Sequence, residues 1–145
     1  MKVLVQRVRE ARVEVAGDTI GAIGQGLLLL VGIERDDQPA KVQRMAKRVT
    51  GYRLFSDAQG KMNLDVGDIG GAVLVVSQFT LAADTRQGRR PGFSAAADPN
   101  TGRRLFETFV AALAGHGLPV ATGRFGADMQ VHLVNDGPVT FLLEL

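Results

Sequence analysis

Two short polar stretches stand at the ends of apolar runs and hold the residue types best suited to chemistry. The first, Ser77-Gln78-Phe79-Thr80-Leu81, follows Val73-Leu74-Val75-Val76. Serine, glutamine and threonine donate and accept hydrogen bonds but are poor acids and bases. At a strand end they either pair their hydroxyls locally or form a rim of backbone N–H groups and a hydroxyl facing a polarised carbonyl, which is what a tetrahedral ester intermediate requires. The second stretch is Asn135-Asp136-Gly137-Pro138-Val139-Thr140. Asn-Asp-Gly is turn chemistry, so a tight connection between two strands is its plain reading. A Gly-Pro bond can also be cis at modest cost, which aims two neighbouring carbonyls in nearly one direction. Two fixed acceptors on a wall can read the geometry at a carbon atom.

Standard catalytic sets are missing. His116 lies in the glycine-rich end of a helix and His132 in an apolar strand, and neither has a partner at metal or triad spacing. Both read as structural or surface residues. No glycine motif of the P-loop or dinucleotide type follows a strand and opens a helix. The expectation is therefore no metal and no cofactor.

The length of 145 residues suits one domain spanning 1–145, and 46% apolar with 22% charged residues is a globular balance. There is no cysteine, which removes disulfides, thiolate metal sites and a cysteine nucleophile together. Met1 to Ala16 lacks the apolar centre of a signal peptide, and no stretch reaches the roughly 20 apolar residues of a membrane span. A soluble cytoplasmic protein with no membrane partner is expected. The net charge of +2 does not announce a nucleic-acid binder, yet Arg86, Arg89, Arg90, Arg103 and Arg104 fall close together. Clustering matters more than the total, although surface charge is usually just solvated surface.

The elements that must position these stretches follow from periodicity. Val3 to Val8, then Ala11, Val13 and Val15, alternate as a strand; Gly17-Asp18 closes a hairpin whose return strand runs through Ile20 and Ile23. Leu27 to Ile33 is an apolar run suited to a strand buried on both faces. Pro39 can begin a helix whose apolar face is Val42, Met45, Ala46 and Val49, with Gly51 as its stop. Turns at Ser56–Gly60 and Gly67–Gly71 lead to a second apolar strand, Ala72 to Leu81. Residues 82–97 form a long loop, a common place for function. Asp98-Pro99 starts a second helix with Leu105, Phe106, Phe109, Val110 and Leu113 on its apolar face. Pro119–Thr122, Met129–Val134 and Val139–Leu145 read as strands, with a break at Asn135–Pro138. The implied fold is α/β: a sheet-rich single domain of about eight strands, curved or barrel-like, with two helices packed on one side.

SQFTL and NDGPVT, in this order and near these distances from the chain ends, closely resemble the two signature motifs of D-aminoacyl-tRNA deacylases. The likeness extends to Gln6-Arg7-Val8, Gly51-Tyr52-Arg53, Phe55-Ser56-Asp57, Lys61-Met62-Asn63-Leu64, Ala82-Ala83-Asp84-Thr85, Thr122-Gly123-Arg124-Phe125 and Asp128-Met129. It covers essentially the whole chain. Gly92 departs locally, standing where relatives often carry a larger polar residue.

The resemblance implies a hydrolase that cleaves D-aminoacyl-tRNA to free tRNA and D-amino acid, working as a homodimer with its site at the subunit interface. It implies that Gly137 and Pro138 form a cis dipeptide inserted into the partner's site, where they leave no room for an L side chain. Ser77, Gln78 and Phe79 would line the ester, with backbone N–H groups as an oxyanion hole. Thr80 occupies the position of a once-favoured nucleophile, against the view that the tRNA's terminal 2′-hydroxyl carries the proton. No base is visible near Thr80, and an unassisted threonine hydroxyl is a weak nucleophile, which favours the second view. Arg7 would brace the Gly-Pro segment, Phe125 and Met129 would complete the pocket, and Val139 and Thr140 would belong to the substrate-binding motif. A filter working by exclusion would accept many D-amino acids and let glycine through, so glycyl-tRNA is a further expected substrate. A non-catalytic dimeric RNA-binding module using residues 86–104 is the competing reading; phosphate binding alone has no need of a Gly-Pro wall.

Overall fold

The computed structural model describes all residues, 1–145. In chain order its elements are β1 (Lys2–Val15), β2 (Asp18–Ile23), β3 (Gly26–Gly32), α1 (Pro39–Thr50), β4 (Phe55–Ser56), β5 (Met62–Leu64), β6 (Ala72–Ser77), a 3₁₀ turn (Phe79–Ala82), α2 (Pro99–Gly115), β7 (Val120–Thr122) and β8 (Gln130–Glu144).

β1 is the spine. Along one edge it pairs antiparallel with β3 through Lys2–Val8 and with β2 through Ala11–Val15, and β8 runs antiparallel along its other edge. The β1–β2 hairpin closes at Ala16-Gly17, both at positive φ, the geometry that matches the strands' twist. β3, β6 and β7 are parallel, so α1 and α2 serve as crossovers and cover one face. β7 curls back toward β2 until the Thr122 carbonyl leaves no room for a Cβ at Gly21. The result is a nearly closed, barrel-like sheet with two helices on one side.

Strand alternation explains the long apolar runs. Leu27, Leu29, Val31, Val73 and Val75 face Val42, Met45 and Val49 of α1 and Leu105, Phe109 and Leu113 of α2. Leu28, Leu74 and Val76 point the other way, joining Val8, Ala11 and Val13 inside the curved sheet. Both faces of β3 and β6 are thus buried, at roughly 1.5–3 kcal/mol per large side chain. Pro39 sits in the first turn of α1, and Asp98 caps α2 by accepting from Asn100 N at 3.0 Å and Thr101 N at 3.1 Å.

Two expectations need correction. The strand expected to run to Leu81 ends at Ser77, because its neighbour β3 ends at Gly32 and Gln78 N–H turns to the Val31 carbonyl at 2.7 Å. Phe79–Ala82 then form the 3₁₀ turn. The break expected at Asn135–Pro138 is absent as a connection: β8 continues through it, because β1 is long enough to pair with both flanks. Gln6 opposes Thr140 and Val8 opposes Asn135, so the extra β8 residues bulge outward opposite Arg7.

Candidate active site

A cleft of about 500 Å³ opens at the carboxyl ends of the parallel strands β3 and β6, where α/β sheets commonly receive ligands. Val31 and Ile33 come from β3 and its exit, Val76 and Ser77 from β6, and Gln78 and Phe79 from the turn beyond it. The start of α2 supplies Asp98, Pro99, Gly102 and Phe106, and the approach to β8 supplies Phe125 to Met129 and Val131. Folding therefore brings Ser77, Gln78 and Phe79 onto one cleft with Phe125 and Met129, which lie some fifty residues later.

Local packing fixes the walls. Phe125 meets Phe106 at a centroid distance of 5.9 Å and carries the Arg103 guanidinium 5.0 Å above its ring. Gly102 of α2 lies against the Phe125 ring, where a Cβ would sit at ordinary contact distance, 3.5 Å. At the rim, Phe79 and Phe93 are both exposed, with ring centroids 5.2 Å apart.

The polar groups suit binding better than proton transfer. Asp98 and Asp128 are the ionisable residues lining the cleft. Hydrogen bonds from Thr101 and then Asn100 hold the Asp98 carboxyl below its ordinary value. Gln78 spends its N–H on Val31, whereas the first donors of the turn, Phe79 N–H and Thr80 N–H, have no acceptor within it. Thr80 is exposed on the rim, its Oγ1 accepting from Gln78 Nε2. An amide donor is no base, so this contact does not activate the hydroxyl. The histidines are elsewhere. His132 lies with Arg12 and Glu14, its Nε2 3.3 Å from Glu14 Oε2, and His116 borders a groove beside α2. The Arg12 hydrogen bond is the main reason the Glu14 carboxyl lies below its ordinary value. His132 thus has neighbours that spacing along the chain does not show. No three His, Asp or Glu side chains converge as a metal site.

The second polar stretch forms its own assembly. Arg7 donates from Nη1 to Leu54 O at 2.7 Å and from Nε to Asp136 O at 3.2 Å. Asn135 Nδ2 donates to Arg7 O at 2.9 Å and Val139 O at 3.1 Å, and Thr140 Oγ1 donates to Asn135 Oδ1 at 3.2 Å. The Gly137-Pro138 bond is cis, and both residues are exposed. Neither they nor Arg7, Val139 and Thr140 line the cleft of their own chain. Exposed Leu133, Val134, Phe141 and Leu142 flank them along β8, which pairs with β1 alone.

Sequence reading missed Asn135 as the clamp across the bulge, as well as the contributions of Ile33, Asp98 and Gly102 to the cleft. The capping pattern at Asp98 located the helix start but carried no sign of what it faces. In the 82–97 loop, backbone bonds between Asp84 and Gly92 (2.7 and 2.9 Å) pin the turn, and Arg86 pairs with Asp84 at 2.8 Å. At Gly92 a Cβ would meet nothing closer than 3.9 Å, so a larger residue fits there.

A family model described as D-Tyr-tRNA(Tyr) deacylase matches residues 4–144. A D-aminoacyl-tRNA deacylase from Alcanivorax borkumensis is 65% identical over 145 residues, covering all of both chains. A solved structure of a c-Myc DNA unwinding element binding protein superposes with a TM-score of 0.95 at 38% identity, covering 100% of this chain and 99% of that one. A probable eukaryotic D-amino acid tRNA deacylase shares the fold, with a TM-score of 0.88 at 14% identity and coverage of 99% and 98%.

Proposed function

This chain belongs to the D-Tyr-tRNA(Tyr) deacylase family and hydrolyses the ester of D-aminoacyl-tRNA, and we propose that it divides the work between the cleft and the Arg7-braced bulge. The aminoacyl ester enters the cleft with its carbonyl against the Ser77–Thr80 rim. Backbone N–H groups of that rim take up the charge that develops on the carbonyl oxygen. One such donor is typically worth about 3–4 kcal/mol. Water adds to the carbonyl, the tetrahedral intermediate collapses, and the ribose oxygen leaves with a proton, giving free tRNA and the D-amino acid. The substrate's own terminal 2′-hydroxyl relays that proton. Thr80 stands exposed beside the cleft without lining it, and it is not the nucleophile, because its only side-chain partner is an amide donor.

Handedness is read by the Gly137-Pro138 segment of a second copy. The observation that carries this reading is the separation of the two assemblies: the bulge is held by Arg7 and Asn135, faces outward and stays away from its own cleft. A long edge strand with exposed apolar residues on both sides of the bulge is the surface a second copy would cover. The homodimer then has its sites at the interface, where an L side chain meets the wall and a D side chain points out. Glycyl-tRNA passes the same filter. The working compartment is the cytoplasm, where charged tRNA is used; no helix of the chain is long and apolar enough to cross a membrane.

The deciding experiment is deacylation of matched D-tyrosyl-tRNA and L-tyrosyl-tRNA by the purified protein with chelator present. Rapid release from the D ester alone is expected. Release from both esters would remove the chiral wall, and binding without release would favour a nucleic-acid-binding module. A solution mass equal to one chain at working concentration would remove the interface site.

A further inference from the structure

Beneath the cleft rim lies a glycine whose missing side chain is replaced by the rim itself. Gly32 is the buried last residue of β3 and opposes Lys2 across the sheet. Its φ lies outside the left-handed region, so backbone conformation does not call for glycine. Space does. A Cβ there would lie 2.9 Å from Leu81 Cβ, 3.2 Å from Gln78 O and 3.5 Å from Ala82 N. All three atoms belong to the segment that carries Phe79 and Thr80. Neither a Cβ nor a backbone carbonyl can swing aside without moving the main chain. The same segment hangs from this strand by Gln78 N–H to Val31 O at 2.7 Å and closes on itself by Leu81 N–H to Gln78 O at 3.1 Å.

We infer that Gly32 is a positioning residue for the hydrolysis: the absence of its side chain sets how deeply the Ser77–Thr80 rim sits over the cleft, and so where the rim's N–H groups point. The inference rests on reading that rim as the one facing the ester carbonyl. A methyl group at this position lifts the turn by a few tenths of an ångström and leaves Phe106, Phe125 and Met129 where they are. Those walls hold the ground-state substrate. The rim meets a charge that exists only in the transition state, so displacement lowers kcat and spares KM.

The test is a double-mutant cycle of Gly32→Ala, Leu81→Gly and the pair, assayed on D-tyrosyl-tRNA well below each variant's melting temperature. Gly32→Ala is expected to lose about tenfold in kcat, since misplacement by 1 Å can cost on the order of a hundredfold. Leu81→Gly removes the atom that rests on Gly32 and also lowers kcat. In the pair the methyl group introduced by Gly32→Ala takes the space left by Leu81 Cβ, and much of kcat returns. A merely structural role would lower melting temperatures without this reciprocal recovery. Wild-type kcat in Gly32→Ala, or a pair no better than Leu81→Gly, would overturn the inference. If Gly32→Ala alone does not fold, Leu81→Gly against the pair still decides it. An inactive parent protein would instead sink the reading of the rim on which the inference rests.

Discussion

Ser77–Ala82 and Asn135–Thr140 both interrupt apolar runs with small polar residues, yet they fold differently. The first bends over the end of β3, is seated on Gly32 and opens into a cleft of its own chain. The second stays within β8, bulges away from β1 and presents Gly137 and Pro138 to the outside. Their supports differ accordingly. The rim is held by backbone contacts, whereas the bulge is held by the side chains of Arg7 and Asn135, which reach carbonyls on β1, β8 and the Leu54 segment. A rim held by backbone tolerates exchange of an exposed side chain such as that of Thr80, whereas a bulge held by the side chains of Arg7 and Asn135 does not tolerate theirs. That contrast is what the proposed division of work, charge stabilisation by the first and shape discrimination by the second, rests on.

The largest effect is expected at Gly137. It holds φ +122°, and a Cβ would lie 2.9 Å from Val139 Cγ2 and 3.0 Å from Arg7 Nη2. Gly137→Ala should cost about a hundredfold in D-ester cleavage, the scale of a 1 Å misplacement, and the ratio of D to L cleavage should fall with it. Comparing kcat/KM for the two esters measures both, and an unchanged ratio would break the division of labour.

Arg7→Ala comes next. It strips the Leu54 and Asp136 carbonyls of their donor, which should lower stability by about 2 kcal/mol, the cost of leaving buried acceptors unpaired. Chemical denaturation gives the number. Arg7→Lys should restore little, because one ammonium lacks the planar fork that spans both carbonyls.

Thr80→Ala should change kcat by less than about threefold if threonine only flanks the cleft, whereas loss of a true nucleophile costs orders of magnitude. Single-turnover deacylation separates the two outcomes and would reverse the contrast if activity vanished.

The smallest effect on catalysis is expected from a charge cluster away from both stretches. Asp37 is 2% exposed and contacts the terminal ammonium at 2.8 Å and Lys41 Nζ at 2.8 Å. Burial pushes its carboxyl up, but hydrogen bonds from Lys41, the terminal ammonium and the Glu34 N–H outweigh this and hold it below the ordinary 3.8. A depressed carboxylate contributes stability above its unfolded value and loses it as pH falls through the folded one. Melting followed from pH 7 downward should therefore show this contribution intact to about pH 4 and declining below, a decline that Asp37→Asn removes. The D-to-L ratio should not move.

Much of the fold was legible because its signals are local. Alternation gave β1 and the hairpin, Pro39 and Asp98-Pro99 opened the helices, and the apolar runs marked strands buried on both faces. The misread boundaries lay where a neighbour decided the outcome: Ser77 ends its strand because β3 ends beside it, and Asn135–Pro138 stay in theirs because β1 runs long. Cleft residues were legible only where a motif carried them. Ile33, Asp98 and Gly102 bear no local mark of a place in a cleft, since that place is set by what stands opposite them from elsewhere in the chain.

The sequence by itself determined the family, the two polar stretches, the scarcity of acids and bases around them and the helix starts, all of which depend on residue identity and short spacing. Only the tertiary structure decided that one stretch lines a cleft and the other turns away from it, that Gly32 is a seat and not a turn residue, and that Asn135 clamps the bulge. Those facts depend on which backbone passes within a few ångströms of which, and that is set by the packing of the whole sheet.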